Sequence, residues 1–246
     1  MIQETHDRLA PLLRKRDKGF RWRGTDISRI EGLSDAVFAF CITLLVVSLE
    51  APKTFDDLRR IMHGFVSFGA CFALLLLIWH SQYIYFRRYA LVDNVSFILN
   101  AALLFVVSFY VYPLKFLFTV LLNGITGHKE VDAAGKAIIV MQRADWRPLM
   151  IVYSAGFIGI YVIFALLYYH AYRLRDQLEL NALEVHDTGG VVLEHAIMVG
   201  IGALSLGLAL AGFPLFSGLT YILIGPLQTI IGAARGRRRR LLGLET

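Results

Sequence analysis

The chain has 246 residues, of which 57% are AVILMFWYC and only 18% are DEKR, against roughly 45–50% apolar and about 25% charged in an ordinary soluble domain. Its mean hydropathy of +0.58 and its uncharged runs, each about 20 residues long and able to cross roughly 30 Å of hydrocarbon, exclude a soluble enzyme and predict an integral membrane protein. The net charge of +6 does not indicate nucleic acid, because the basic residues sit between the apolar runs.

Residues 1–28 read as a basic arm without a signal peptide, since charges interrupt any apolar h-region. Six apolar segments follow: Leu33–Leu49, Ile61–Tyr83, Val95–Leu122, Leu149–Tyr172, Val191–Gly212 and Phe213–Ala234. They are continuously apolar rather than alternating, which predicts helices and not barrel strands. Cys41 and Cys71 lie inside the first two runs without CxxC spacing, so they read as small buried hydrophobes. The longest connection, Asn123–Pro148, is expected to lie on the surface or extend a helix. Gly225-Pro226 can kink the last span. The arginine-rich tail, 235–246, reads as an anchor held by anionic lipid. The organisation expected is therefore arm, six-helix domain over 29–234, and tail. No repeat relates the two halves, which weakens an inverted-repeat transporter reading.

Lys and Arg counted loop by loop give 17 on the side of both termini and 8 on the other. This predicts six spans with both ends cytoplasmic, in the cell's inner (plasma) membrane.

Polar residues inside the spans carry the functional information, because apolar lipid offers them no partners. Ser34 and Asp35 fall in the first two turns of the first span, with Trp79 and His80 late in the second and Asn100 early in the third. At 1.5 Å per residue, Asp35 lies roughly 9 Å beyond Arg29, His80 about 10 Å before Arg87 and Asn100 about 10 Å beyond Asp93, which puts all three at similar depth. They are expected to meet, with Ser34 and Trp79 as further partners, either as a structural tie or as a proton relay.

Here the sequence resembles the endosomal and lysosomal potassium channels and their single-repeat bacterial relatives, whose first helix carries an RxxxFSD signature. Arg29, Ser34 and Asp35 match it, while Leu33 replaces the phenylalanine. The likeness continues through Ala36-Val37-Phe38-Ala39, Ile42-Thr43-Leu44-Leu45, Trp79-His80, Asn100 with Leu103-Leu104-Phe105, and Tyr112-Pro113, covering about residues 29–115. The resemblance implies a homotetramer whose four first helices line the pore, and the absence of a TVGYG-like filter is consistent with that.

Leu33, Ala36, Phe40, Leu44 and Val47 recur at three- and four-residue steps, with Thr43 beside them. By resemblance the constriction falls on Phe40 and Val47, with Thr43 and Leu44 between, where an apolar ring makes ions pay for dehydration. The expected function is a potassium-preferring cation channel, with potassium as the permeant species and no cofactor, catalytic residue or metal. Glu50, Asp56 and Asp57 are candidates for concentrating cations at the outer mouth. The expected partners are further copies of the chain and membrane lipids, anionic ones at the basic termini, and not nucleic acid. A proton-coupled transporter using Asp35 and His80 is the alternative. A membrane enzyme with His63, His80, His170 or His195 as ligands lacks a His/Glu pair at ligand spacing on one helix.

Overall fold

A computed structural model describes residues 20–24, 26–48, 51–126 and 142–241. Helix α1 spans Arg29–Val47, α2 Phe55–His63, α3 Phe65–Tyr89 and α4 Asn94–Thr126. A single 3-10 turn, Arg143–Asp145, leads into α5, Trp146–Arg173, followed by α6, Ala182–Leu210. The last span is built in pieces: α7 over Pro214–Leu219, a 3-10 turn over Thr220–Leu223 and α8 over Ile224–Leu241. The fold is all-α among the described residues, with six helical runs long and apolar enough to cross a membrane.

Several boundaries differ from those the hydropathy predicts, and three of the differences bear on the packing. The chain turns at Gly64, so Ile61–His63 ends the short amphipathic α2 and not the second span. On α2, Phe55, Leu58 and Met62 are exposed at helical spacing, while Thr54 and Asp57 cap its start reciprocally. The fifth span begins at Ala182, nine residues before Val191. Glu184 and Asp187 can enter it because Arg23 pairs with Glu184 at 2.7 Å and Arg239 donates Nε to Asp187 at 2.8 Å. Finally, α8 runs past Ala234 to Leu241, carrying Arg235 and Arg239 along one face to meet Glu194 and Asp187 of α6.

In lipid, burying apolar surface does not drive helices together; close packing and interhelical hydrogen bonds do. The α5–α6 contact is the most extensive, α4 joins that pair to α1 and α3, and the last span packs on α6. Gly156 permits the α4–α5 approach, since a Cβ there would lie 2.2 Å from the Tyr110 ring. Buried Ser154, Ser205 and Ser217 form a chain at 2.9 and 2.8 Å, joined by the Tyr221 hydroxyl at 3.0 Å, which ties α5, α6 and the last span. Leu45, Leu75, Leu103, Val107, Phe164 and Leu167 fill the core between. Of the basic arm, Phe20–Gly24 crosses the ends of α3 and α6: Phe20 is buried edge-on to Tyr89, and the Arg23 and Gly24 amides donate to the Arg87 carbonyl.

Candidate functional site

Helix α1 starts from a reciprocal cap in which Ser28 Oγ accepts from the Glu31 amide and Glu31 accepts from the Ser28 amide. Arg87 holds the same corner, 3.6 Å from Glu31 and 3.1 Å from the Gly24 carbonyl. Arg29, in the first position of the helix, is exposed.

From that start, α1 buries one face and leaves the other uncovered among the described residues. Ser34, Phe38, Cys41 and Leu45 point into the subunit. Phe40 and Val47 remain 59% and 68% exposed, and Thr43 is exposed between them. At about 100° per residue, Thr43 lies near the midline of the uncovered face, with Phe40 about 60° to one side and Val46 about 60° to the other. Leu44 is half-buried, turned partly toward the core. Gly32, Leu33, Asp35, Ala36 and Ala39 are also exposed on this face, and small residues such as Gly32, Ala36 and Ala39 suit close helix–helix approach better than lipid. The Thr43 hydroxyl donates to the Ala39 carbonyl at 2.9 Å, which spends its proton and leaves the oxygen's acceptor capacity unused by that bond.

The polar residues of the first three spans form two separate sets. Gln82 donates to Asn100 Oδ1 at 2.7 Å, Asn100 donates to Ser34 Oγ at 2.9 Å, and Ser34 donates to the Ile30 carbonyl at 2.8 Å. All three side chains are buried, so this relay of donors links α3, α4 and α1 away from water. On the flank of the uncovered face, the Trp79 indole donates to Asp35 Oδ1 at 2.7 Å, and Asp35 itself is exposed. His80 joins neither set: it is exposed and stacks on Tyr83 at 6.2 Å. Equal depth does not give equal direction, since one residue along a helix turns the side chain by about 100°. Gln82 occupies the place expected for His80, and the signal for it was an amide in an otherwise apolar span.

At the far end of α1, Lys115 Nζ donates to the Ser48 carbonyl at 3.1 Å and to Ser48 Oγ at 2.6 Å. In the sequence, Lys115 is legible only as one of the 8 basic residues on the side away from the termini. Of the acidic residues expected at this mouth, Asp57 is engaged in the α2 cap, Glu50 lies outside the described residues, and Asp56 lies on α2. His170 pairs with Asp93 at 2.6 Å and His195 sits among the Tyr161, Phe164 and Tyr168 rings. Among the described residues, no three His, Cys, Asp or Glu side chains gather as a metal site.

Comparison with known proteins gives this geometry a context. Residues 29–110 match the family model described as endosomal/lysosomal potassium channel TMEM175. A potassium channel of Marivirga tractuosa is 37% identical over 232 residues, covering 91% of this chain and 93% of the relative. A potassium channel of Chamaesiphon minutus is 25% identical over 207 residues, 81% of this chain and 92% of the relative. Among solved structures, the crystal structure of a variant of the potassium channel MtTMEM175 bound to a nanobody–MBP fusion superposes with a TM-score of 0.77 at 36% identity, covering 90% of this chain and 98% of that one. The Chamaesiphon homologue's crystal structure shares the fold, with a TM-score of 0.55, 23% identity, and 82% and 96% coverage. The family description corrects the expected plasma-membrane location, because it places the family in endosomes and lysosomes. The physical reason is that Lys and Arg asymmetry reports the direction of insertion, and says nothing of which membrane receives the protein.

Proposed function

The chain belongs to the TMEM175 family of endosomal/lysosomal potassium channels, and from that premise we propose that four copies assemble with α1 around a central axis as a potassium-preferring cation pore. The family is one of ion channels and not of enzymes. One observation carries the finer reading: the exposed face of α1 combines small residues and a threonine oxygen with the large apolar side chains of Leu33, Phe40, Val46 and Val47. A face meant for lipid has no use for Gly32, Ala36 and Ala39 beside the Asp35 carboxylate. A face meant for an axis does, because small positions let four helices approach while Phe40 and Val47 narrow the passage.

On this reading, Phe40 and Val47 form apolar rings at which an ion loses water, and Thr43 supplies the oxygens between them. Leu44 supports the constriction from the side. The buried Ser34–Asn100–Gln82 relay and the Asp35–Trp79 bond hold α1 at its angle to α3 and α4. Further copies of the chain cover the uncovered face, and anionic lipid meets the exposed Arg237 and Arg238 of the tail. Purified protein in planar bilayers under bi-ionic potassium and sodium gradients tests conduction and preference together. A single-channel current reversing toward the potassium potential is the expected result; saturable flux coupled to a proton gradient would replace it with the transporter reading.

A further inference from the structure

Helices α1 and α4 run side by side and touch through three polar contacts in register. Asn100 meets Ser34 at 2.9 Å, Ser108 meets Cys41 at 3.5 Å, and Lys115 meets Ser48 at 2.6 Å. Ser34, Cys41 and Ser48 are seven residues apart on α1, and Asn100, Ser108 and Lys115 are spaced by eight and seven on α4. Two turns of helix, about 10 Å, separate successive rungs. Only the last rung is charged. It also differs in what it touches: the first two hold side chains, whereas Lys115 Nζ takes the backbone carbonyl of the residue that ends the helix.

That carbonyl belongs to the end of an α-helix, where the last carbonyls lack donors and carry the negative end of the helix dipole. The Ser48 hydroxyl is itself spent on the Leu45 carbonyl at 2.6 Å, so its oxygen accepts from Lys115 while its proton closes the turn. Lys115 therefore binds two acceptors on one residue, from a half-buried stem on a helix already fixed to α5. Ser48 directly follows Val47, one turn beyond Thr43. We infer that Lys115 is a positioning residue for ion discrimination: its ammonium clamps the far end of α1 to α4 and so fixes how closely Val47 and Thr43 approach the axis. The inference rests on α1 lining the pore.

The test is bi-ionic recording of Lys115→Met, Lys115→Arg and Ser48→Ala, with tetramer content followed by size-exclusion chromatography. Lys115→Met should assemble and lose potassium preference by about five-fold, the lower end of the range for coupled sites. Lys115→Arg keeps a donor for the carbonyl and should recover most of the preference. Wild-type preference in an assembled Lys115→Met channel overturns the inference. If that variant does not assemble, Ser48→Ala decides: it removes the Lys115–Oγ contact together with the hydroxyl's own bond to the Leu45 carbonyl and leaves the carbonyl contact, so a reduced preference supports the clamp and an unchanged one sinks it. Thr43→Cys treated with a thiol-reactive cation reports on the premise separately. Block of its current upholds the pore-lining reading whatever Lys115 does, and the absence of block removes the premise and the inference with it.

Discussion

Asn100 gives its amide hydrogen to Ser34 across the α1–α4 interface while its carbonyl oxygen accepts from Gln82 on α3. One side chain thus satisfies two helices at once, in a place that water does not reach. Removing it takes away the acceptor of the buried Gln82 amide and leaves Ser34 only its donation to the Ile30 carbonyl, and an unpaired buried group costs more than the bond it lost.

Asn100→Ala should therefore lower subunit stability by about 1–2 kcal/mol, near the upper end for a hydrogen-bonding residue in a membrane helix. Thermal unfolding in detergent micelles measures it. His80→Ala should be close to neutral in the same assay, because the imidazole is exposed and stacks on Tyr83. Equal losses in the two variants would mean that a partner from outside the chain reaches His80.

The contrast between these residues shows what the sequence can convey. Continuous apolar runs made all six spans legible, because hydrocarbon thickness imposes a length that composition reveals directly. The start of α6 was hidden: Glu184 and Asp187 look too costly for a membrane helix until Arg23 and Arg239 arrive from the two ends of the chain. The break at Gly64 is hidden too, since Ile61 and Met62 before it and Phe65 and Val66 after it are apolar. At the site, Ser34, Asp35, Trp79 and Asn100 stood out as polar groups in apolar surroundings. Pairing them needed direction as well as depth, which is why Gln82 and not His80 reaches Asn100. Lys115 is not legible because its acceptors are the carbonyl and hydroxyl of a helix-ending serine, a neutral partner that no charge pattern announces.

Asp93, in the turn between α3 and α4, gives the fold a dependence on pH. Burial pushes its carboxyl up, but hydrogen bonds from Ser96 and His170 outweigh this and hold it below the ordinary carboxylate range. A carboxyl lowered in the folded state contributes stability above its unfolded value of about 3.9, and that contribution disappears as pH falls through the folded value. Unfolding temperature in micelles should thus decline below about pH 4 with a component that Asp93→Asn abolishes. An identical acid decline in both proteins would assign the loss to other groups.

Phe40 tests the constriction itself. Four such rings around an axis would make the narrowest apolar belt, where an ion sheds water and gains no oxygen in return. Phe40→Asn replaces each ring with a smaller amide that can hold water, so conductance should rise and potassium preference should fall. Val46→Asn is the informative comparison, since Val46 is 49% exposed on the opposite flank of the same face, about 120° from Phe40. Phe105→Asn, on an exposed position of α4, supplies the same chemical change away from α1 and should leave currents unaltered. A larger effect at Phe40 than at Val46 means that the Phe40 flank turns to the axis and the Val46 flank to the neighbouring subunit. The reverse order would exchange those roles, and equal currents in all three variants despite normal assembly would remove α1 from the pore.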